Sequence, residues 1–394
     1  MSWRATNRVD ERMRFVIEAE RERVAFTTLC RSFGVSPRVG YKWLERYRQS
    51  GVDGLRDRSH AAHRPPNAVD EATAERRVTL RLQHPTWGPR KLLAWLGDHE
   101  PQWLLPAAST VGDMLKRRGL VVRRERPRRR DRSPHTTPLA HAEAPNDIWC
   151  ADYKGDFSVG DGTRCYPLTL TDAYSRYLLC CQGMRQVGGD PARRAFEASF
   201  REFGLPLRIR SDNGAPFASS GVSGLTRLSV WWVRLGIMPE RIKPGRPDQN
   251  GRHERMHRTL REDALCPPQP NLRQQQHAFD QFRTVYNDER PHEALGQKPP
   301  ARSYRPSRRP FPRQLPELEY AANVDVRSVH SVGQVRWRGR ELFLSDALAG
   351  ERVGFEPIDF GLWRVMFGPL LLAYWSEPLA HLGLIKPHRW TGPR

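Results

Sequence analysis

Three acidic side chains stand where a fold would present them to a common point. Asp152 sits among apolar neighbours in the strand-like run I-W-C-A-D-Y, an expensive place for a carboxylate unless something balances its charge. Asp212 follows the strand-like L-R-I-R-S and precedes an Asn-Gly turn, a position from which side chains project off the edge of a sheet. Glu254 falls in the first turn of a helix expected from about Gly251, with Met256 and Leu260 on the opposite side. Two acids from a sheet and one from a helix are thereby able to meet. Clustered carboxylates repel one another and need cations to stay ionised together. Hard oxygen donors select Mg²⁺ or Mn²⁺, and two such ions roughly 4 Å apart suit phosphoryl transfer. Taken singly, each acid is an ordinary turn cap or helix-start residue.

A competing pattern overlaps the third acid. Residues 253–257 read H-E-R-M-H, which matches the two-histidine zinc protease motif with Glu254 as general base. The match is only five residues long; no third histidine and no clear downstream glutamate helix follows. It also explains neither Asp152 nor the charge of the chain.

The elements that must position these acids follow from periodicity. Residues 10–50 read as three short helices, and F-G-V-S-P-R-V-G-Y-K-W-L gives a glycine turn, a serine N-cap at Ser36 and a proline at the first helical position. This is a helix-turn-helix pattern whose second helix turns Arg38, Tyr41, Lys42 and Arg46 away from Leu44, where a major groove would meet them. A solvated helical hairpin is the plainer reading of the same face. A polar, Pro-rich stretch over 51–66 is followed by a second helical pair, with Leu92, Leu93 and Leu96 as core and a last helix capped by Ser109 and stopped at Gly119. From Asn146, three strand-like runs lead to a helix carrying Phe196, Phe200 and Phe203 on its core face, then to a further strand, a helix near Gly251 and a long helix from about Asn271 to Asp288. This alternation is an α/β domain with a mixed sheet. After a Pro- and Arg-rich connector to about Pro316, short strands separated by glycines suit a small barrel, with Val335 and Trp337 on one face and Arg336 and Arg338 on the other. The expected modules are 1–60, 67–122, a basic linker over 123–145, a core over 146–305 and a barrel over 320–380.

Charge indicates what the chain meets. Lys and Arg number 65 against 44 Asp and Glu, for a formal charge of +21 and an isoelectric point near 10.5. An excess of that size carried mostly by arginine favours a polyanion, since guanidinium groups grip phosphates bidentately. Seven of the ten residues from Arg123 to Arg132 are arginine; such a segment, with Arg128, Arg129 and Arg130 at its centre, cannot build a core but can track phosphates. The cysteines, Cys30, Cys150, Cys165, Cys180, Cys181 and Cys266, form no C-x-x-C pair, which argues against a zinc finger and favours reduced thiols in the cytoplasm. No apolar run has the length of a signal core or membrane span.

The wording around the three acids is more specific than the acids themselves. I-W-C-A-D-Y, R-S-D-N-G-A-P-F and K-P-G-R-P-D-Q-N-G-R-H-E-R-M-H-R-T-L resemble, in order and context, the acidic motifs of the DDE transposases with a retroviral-integrase-type core. D-A-Y-S-R at 172–176 is similar to that family's second strand. With the helix-turn-helix, the likeness to bacterial insertion-sequence transposases covers most of the chain and is strongest between Asn146 and Pro300. It implies a multidomain α/β protein: N-terminal helix-turn-helix units, the second winged-helix-like, a ribonuclease H-like mixed-sheet catalytic core, and a small C-terminal β-barrel. It implies that Asp152 is shared by two Mg²⁺ or Mn²⁺ ions, which Asp212 and Glu254 each complete. Arg258 and Arg261, on the helix face of Glu254, and Lys243 would hold DNA; Asp172 stays structural. Forty-one residues separate Asp212 from Glu254, which implies an insertion around S-V-W-W-V-R-L-G. The implied activity is metal-dependent cleavage at transposon ends and strand transfer into target double-stranded DNA by at least a dimer, associated with the nucleoid and with no membrane partner. A non-catalytic DNA-binding regulator derived from a transposase, and a nuclease that cuts without joining, remain the alternatives.

Overall fold

Apolar residues spaced at helical intervals draw residues 8–57 into three helices and a tight turn in the computed structural model, which describes residues 8–57, 71–121, 140–219, 224–242 and 251–387, with the backbone alone of 252. The chain divides into two units, Met1–Val69 and Asp70–Arg394. In the first, α1 (Arg8–Glu20), α2 (Phe26–Ser32) and α3 (Pro37–Ser50) enclose Phe15, Val16, Leu29, Cys30, Leu44 and Leu55. Gly34, at φ +67°, turns the chain between α2 and α3. The Ser36 hydroxyl accepts from the Val39 amide at 3.4 Å and Pro37 opens α3, as the sequence predicts. Close approach explains Gly40: a Cβ there would lie 2.7 Å from Cys30 Sγ and 2.8 Å from Phe15 Cζ.

The second unit begins with α4 (Glu71–Gln83), α5 (Pro89–His99) and α6 (Ala108–Arg117), packed through Leu80, Trp87, Leu92, Leu96, Val111 and Leu115. Ser109 is not the cap of α6. The helix starts from Ala107, which makes no side-chain cap, because burying Val111, Met114 and Leu115 fixes a register that leaves Ser109 inside the first turn. These helices are tied to the rest of the unit by Arg290, which donates to Thr86 Oγ1 at 3.1 Å and to Asp263 at 3.2 Å.

The central sheet contains β1 (Ile148–Tyr153), β2 (Phe157–Ser158), β3 (Arg164–Asp172), β4 (Leu178–Met184), β5 (Arg208–Ser211) and β6 (Met238–Arg241). β3 runs antiparallel to β1, β2 and β4, whereas β5 lies between β1 and β6 and runs parallel to both. Helix α7 (Gly189–Phe203) precedes β5, and α8 (Arg227–Arg234) is the crossover from β5 to β6. The segment S-V-W-W-V-R-L-G is therefore no appended insertion: it is α8 and its end, and Trp231 and Trp232 are buried in the sheet's own core. On the other side of the sheet lie α9 (Gly251–Ala264) and α10 (Leu272–Thr284), the latter continued by a π-helical turn at Val285–Glu289.

Strand alternation sorts residues between these faces. Trp149 and Ala151 of β1, Leu168 and Leu170 of β3 and Ile209 of β5 join Phe196, Phe200 and Trp232 under α7 and α8. Cys165 and Cys181 join Met256, Leu260 and Phe279 under α9 and α10. The Pro- and Arg-rich connector is strapped to this body: Arg309 O accepts from the Leu205 amide at 2.7 Å, and the Tyr304 hydroxyl donates to Asn146 Oδ1 at 2.9 Å.

The last segment is antiparallel throughout. β7 (Asp325–Ser328), β10 (Arg352–Asp359), β11 (Leu362–Phe367) and β12 (Leu370–Ser376) form one sheet, and β8 (Gln334–Trp337) with β9 (Arg340–Phe343) forms a hairpin. Both surround Val335, Trp337, Phe355, Trp363 and Trp375, joined by Val230 and Val233 of α8. Arg336 and Arg338 are exposed, so the alternation read from the sequence holds. Among the described residues the ladders do not close into a barrel. No described helix is long and apolar enough to cross a membrane.

Candidate active site

Asp152 and Asp212 are brought together by register. β1 and β5 are parallel neighbours with Ala151 opposite Ser211, so the next residue on each strand is one of the two acids, on strands spaced about 4.8 Å apart. Parity completes the placement: Trp149 and Ala151 face α7 and α8, which turns Asp152 to the side of α9. Asp212 also caps its own turn, accepting from the Gly214 amide at 3.2 Å, and Asn213 Nδ2 donates to the Ile242 carbonyl at 2.7 Å. Both contacts hold the end of β5 in place.

Glu254 arrives on α9. Met256 and Leu260 are buried beneath the helix and Glu254 is exposed, as the helical period requires. Burial pushes the Asp152 carboxyl up to about 7, and the charges of Asp212 and then Glu254 push in the same direction. Acids from three separated segments thus share one electrostatic environment.

The two histidines of H-E-R-M-H lie on the buried side of the same helix. His253 and His257 are 2% and 7% exposed and point into the sheet. His253 Nε2 and His257 Nε2 each lie 2.7 Å from the Thr169 hydroxyl, and His253 Nδ1 lies 2.9 Å from the Thr171 hydroxyl. Burial lowers His253 to about 3 and His257 to about 2, the latter helped by its histidine neighbour and Lys154, so both rings are neutral at pH 7. The 4.0 Å approach of His257 Nδ1 to Asp152 Oδ2 is therefore not an ion pair. The signal was present: residues 253, 256, 257 and 260 form one helical stripe, and the histidines occupy it beside Met256 and Leu260.

Asp152, His253 and His257 also present ligand atoms within 4.8 Å of one another. That set differs from the zinc protease pattern: both histidines point into the sheet with their Nε2 atoms on one threonine hydroxyl, whereas Glu254, the general base of that pattern, is exposed. Two further carboxylates, Asp212 and Glu254, add to burial in raising the affinity of Asp152 for a proton, and a hard divalent cation would relieve the same repulsion. Asp172 is structural, as expected: its buried carboxylate accepts from the Asn146 and Ser175 amides at 2.9 Å and 2.8 Å.

Of the residues expected to touch DNA, Arg258 and Arg261 are exposed and follow Glu254 by four and seven positions, so they share its face. In the first unit Arg38, Tyr41 and Lys42 are exposed and Arg46 is half-buried. Tyr41 stacks on Phe26 at 4.1 Å, and Lys42 and Arg46 lie 5.1 Å and 5.0 Å from the Trp43 ring centre. Arg128, Arg129, Arg130 and Lys243 fall outside the described residues.

Models of the integrase core domain match residues 142–247 and 235–300, the two stretches that carry β1 to β6 and α9. The chain carries an integrase core domain. Homeodomain-like domain models match residues 6–56 and 39–115, so helix-turn-helix modules precede the integrase core. The chain is similar to an uncharacterized 31.7 kDa protein of insertion element IS407 from Burkholderia multivorans, 27% identical over 240 residues, 60% of this chain and 82% of that protein. It is similar to the transposase InsD of insertion element IS2 from Escherichia coli, 25% identical over 241 residues, 57% of this chain and 76% of that one. A chain in the structure of the simian T-cell lymphotropic virus intasome in complex with PP2A regulatory subunit B56 gamma aligns at 16% identity and TM-score 0.38, over 81% of this chain and all of that one.

Proposed function

We propose that this chain is a DNA transposase that cleaves the ends of its element and joins them to target DNA, with Asp152, Asp212 and Glu254 as the catalytic, metal-holding acids. The observation that carries the reading is the coupling of three acids from distant segments: Asp152 follows the register pair Ala151–Ser211 beside Asp212, and both partners' charges reach its carboxyl. The modules would act within the limits read from the sequence, from the helix-turn-helix at 1–60 to the strand module at 320–380.

When bound, a pair of Mg²⁺ or Mn²⁺ ions would supply the positive charge that balances the acids and the charge developing on the phosphoryl oxygens. The chain's own part is to hold and align. In cleavage, a water oxygen bonds to phosphorus at the element's end as the bond to the element's own terminal 3′ oxygen breaks, leaving a free 3′ hydroxyl on the element and a 5′ phosphate on the flanking strand. In joining, that hydroxyl oxygen bonds to a target phosphorus as a target 3′ oxygen leaves, so the number of phosphodiester bonds is conserved. Arg258 and Arg261, exposed on the face of Glu254, are suited to pin the backbone beside the reacting phosphate. Arg38, Tyr41, Lys42 and Arg46 on α3 are suited to a major groove, and Arg128, Arg129, Arg130 and Lys243 to phosphates without base reading. Pairing two element ends requires at least a dimer, acting on double-stranded DNA in the cytoplasm at the nucleoid.

Strand transfer on labelled element ends in Mg²⁺ tests this directly. Joined products that vanish in Asp152→Asn are expected. Cleavage without joining would reduce the assignment to a nuclease, and gel retardation without either would reduce it to a DNA-binding regulator.

A further inference from the structure

The Thr169 hydroxyl has more partners than a hydroxyl usually serves, and their identity fixes every proton. It lies 3.1 Å from the Asp152 carbonyl oxygen, 2.7 Å from His253 Nε2 and 2.7 Å from His257 Nε2. A hydroxyl has one proton to give and two lone pairs to receive with, and a carbonyl only accepts. All three contacts are hydrogen bonds in one arrangement alone: Thr169 donates to Asp152 O and accepts Nε2–H from both histidines. His253 Nδ1 then accepts from the Thr171 hydroxyl at 2.9 Å, and His257 turns a bare Nδ1 toward Asp152 Oδ2, 4.0 Å away.

We propose that Thr169 is a positioning residue, a hydrogen-bonded hub through which His253 and His257 fix the rotation and height of α9 against β1 and so set the separation of the Glu254 and Asp152 carboxylates. The placement of Glu254 supports this. It lies one residue after His253 and three before His257 on a single turn of α9, so two side chains anchored to one oxygen leave that turn little freedom to roll. Thr169 is itself opposite Asp152 in the β1–β3 ladder, and it is fully buried. The hub thus joins the strand that carries one acid to the helix that carries another, with no solvent to substitute for a lost bond. A transition metal held by Asp152, His253 and His257 would draw on the same side chains, and at His253 it would have to displace a threonine hydroxyl from whichever ring nitrogen it took.

The inference rests on the assignment of Asp152 and Glu254 as metal-holding acids, and the test keeps the two apart. In the full chain, Mn²⁺ binding is measured by electron paramagnetic resonance, alongside strand transfer and the thermal midpoint. Thr169→Val keeps the shape and removes the hydroxyl; Mn²⁺ affinity is expected to fall by at least about tenfold, the usual effect of losing a partner that orients metal-binding groups. Thr169→Ser is expected to restore it. If Thr169→Val fails to fold, His257 serves instead: His257→Gln retains a donor near the Nε2 position and His257→Leu does not, so only the leucine variant should lose affinity. Wild-type Mn²⁺ affinity and joining in folded Thr169→Val, or equal behaviour of the two His257 variants, overturns the hub while leaving the acids in place. Undiminished Mn²⁺ binding and joining in Asp152→Asn overturns the acid assignment itself.

Discussion

Replacing Asp152 with asparagine should stabilise the metal-free protein, and the pH at which it does so follows from the charges around it. In the folded chain burial, Asp212 and Glu254 raise this carboxyl from 3.8 to about 7. A carboxyl with a raised folded-state pKa binds its proton more tightly in the native than in the unfolded chain, so ionising it destabilises the fold. Below pH 4 the group is protonated in both states and exerts no pull. Between pH 4 and 7 the unfolded chain releases the proton first and stability falls, and above pH 7 the loss is complete. At 1.36 kcal/mol per pKa unit the full effect is about 4 kcal/mol as an upper figure.

Asparagine keeps the shape and never ionises. Urea unfolding in EDTA, followed by the fluorescence of the buried Trp149 and Trp232, should give coincident curves for wild type and Asp152→Asn near pH 3.5. The variant should become progressively more stable up to pH 7, with a constant gap beyond. Added Mg²⁺ should close the gap by stabilising the wild type alone, since a ligand that binds only the native state adds its own free energy. A gap that does not change with pH, or a variant less stable than wild type at pH 8 in EDTA, would refute the electrostatic coupling from which the site is argued.

Further outcomes follow from particular contacts. Arg258→Ala combined with Arg261→Ala should weaken binding to duplex DNA at low salt and reduce the slope of log affinity against log salt by about 2, because each phosphate contact contributes about 0.9; an unchanged slope would remove these arginines from the DNA path. Gly40→Ala should cost about 1–3 kcal/mol by overpacking, given the 2.7 Å and 2.8 Å approaches of its Cβ to Cys30 Sγ and Phe15 Cζ, and helicity lost at a lower urea concentration would register it. Trp232→Ala should cost about 3–5 kcal/mol, as Trp232 is fully buried with its ring 4.9 Å from Phe196; its urea midpoint reads the loss.

Most of the architecture could be read from sequence because local rules and burial agreed. At Ser36 and Pro37 a cap and a preset backbone coincide with the start of the apolar stripe, and α3 begins there. At Ser109 they disagree. The hydroxyl suggested a cap, but Val111, Met114 and Leu115 decide where α6 lies, since burying three side chains outweighs a cap of about 1 kcal/mol. The run S-V-W-W-V-R-L-G was opaque for a different reason. α8 is apolar on more than one side because it serves two cores, Trp231 and Trp232 facing the central sheet and Val230 and Val233 the C-terminal strands. Without a map of both cores, such a helix looks like surplus.

The candidate site divides the same way. Asp152, Asp212 and Glu254 stand out through the wording around them, I-W-C-A-D-Y, R-S-D-N-G-A-P-F and R-H-E-R-M-H, because each acid alone is an ordinary residue of a strand, a turn or a first helical turn. What joins them is not local. Thr169 is 84 and 88 residues from its two histidines, and no period along the chain encodes that pairing. Half of it was nonetheless accessible, because the stripe of α9 already places His253 and His257 inward. Buried histidines need partners, and a strand that alternates Leu168, Thr169, Leu170 and Thr171 offers hydroxyls on one face only. On the proposed reading the acids would mark where chemistry is sited, and the buried Thr169, His253 and His257 behind them would set how helix and sheet hold those acids.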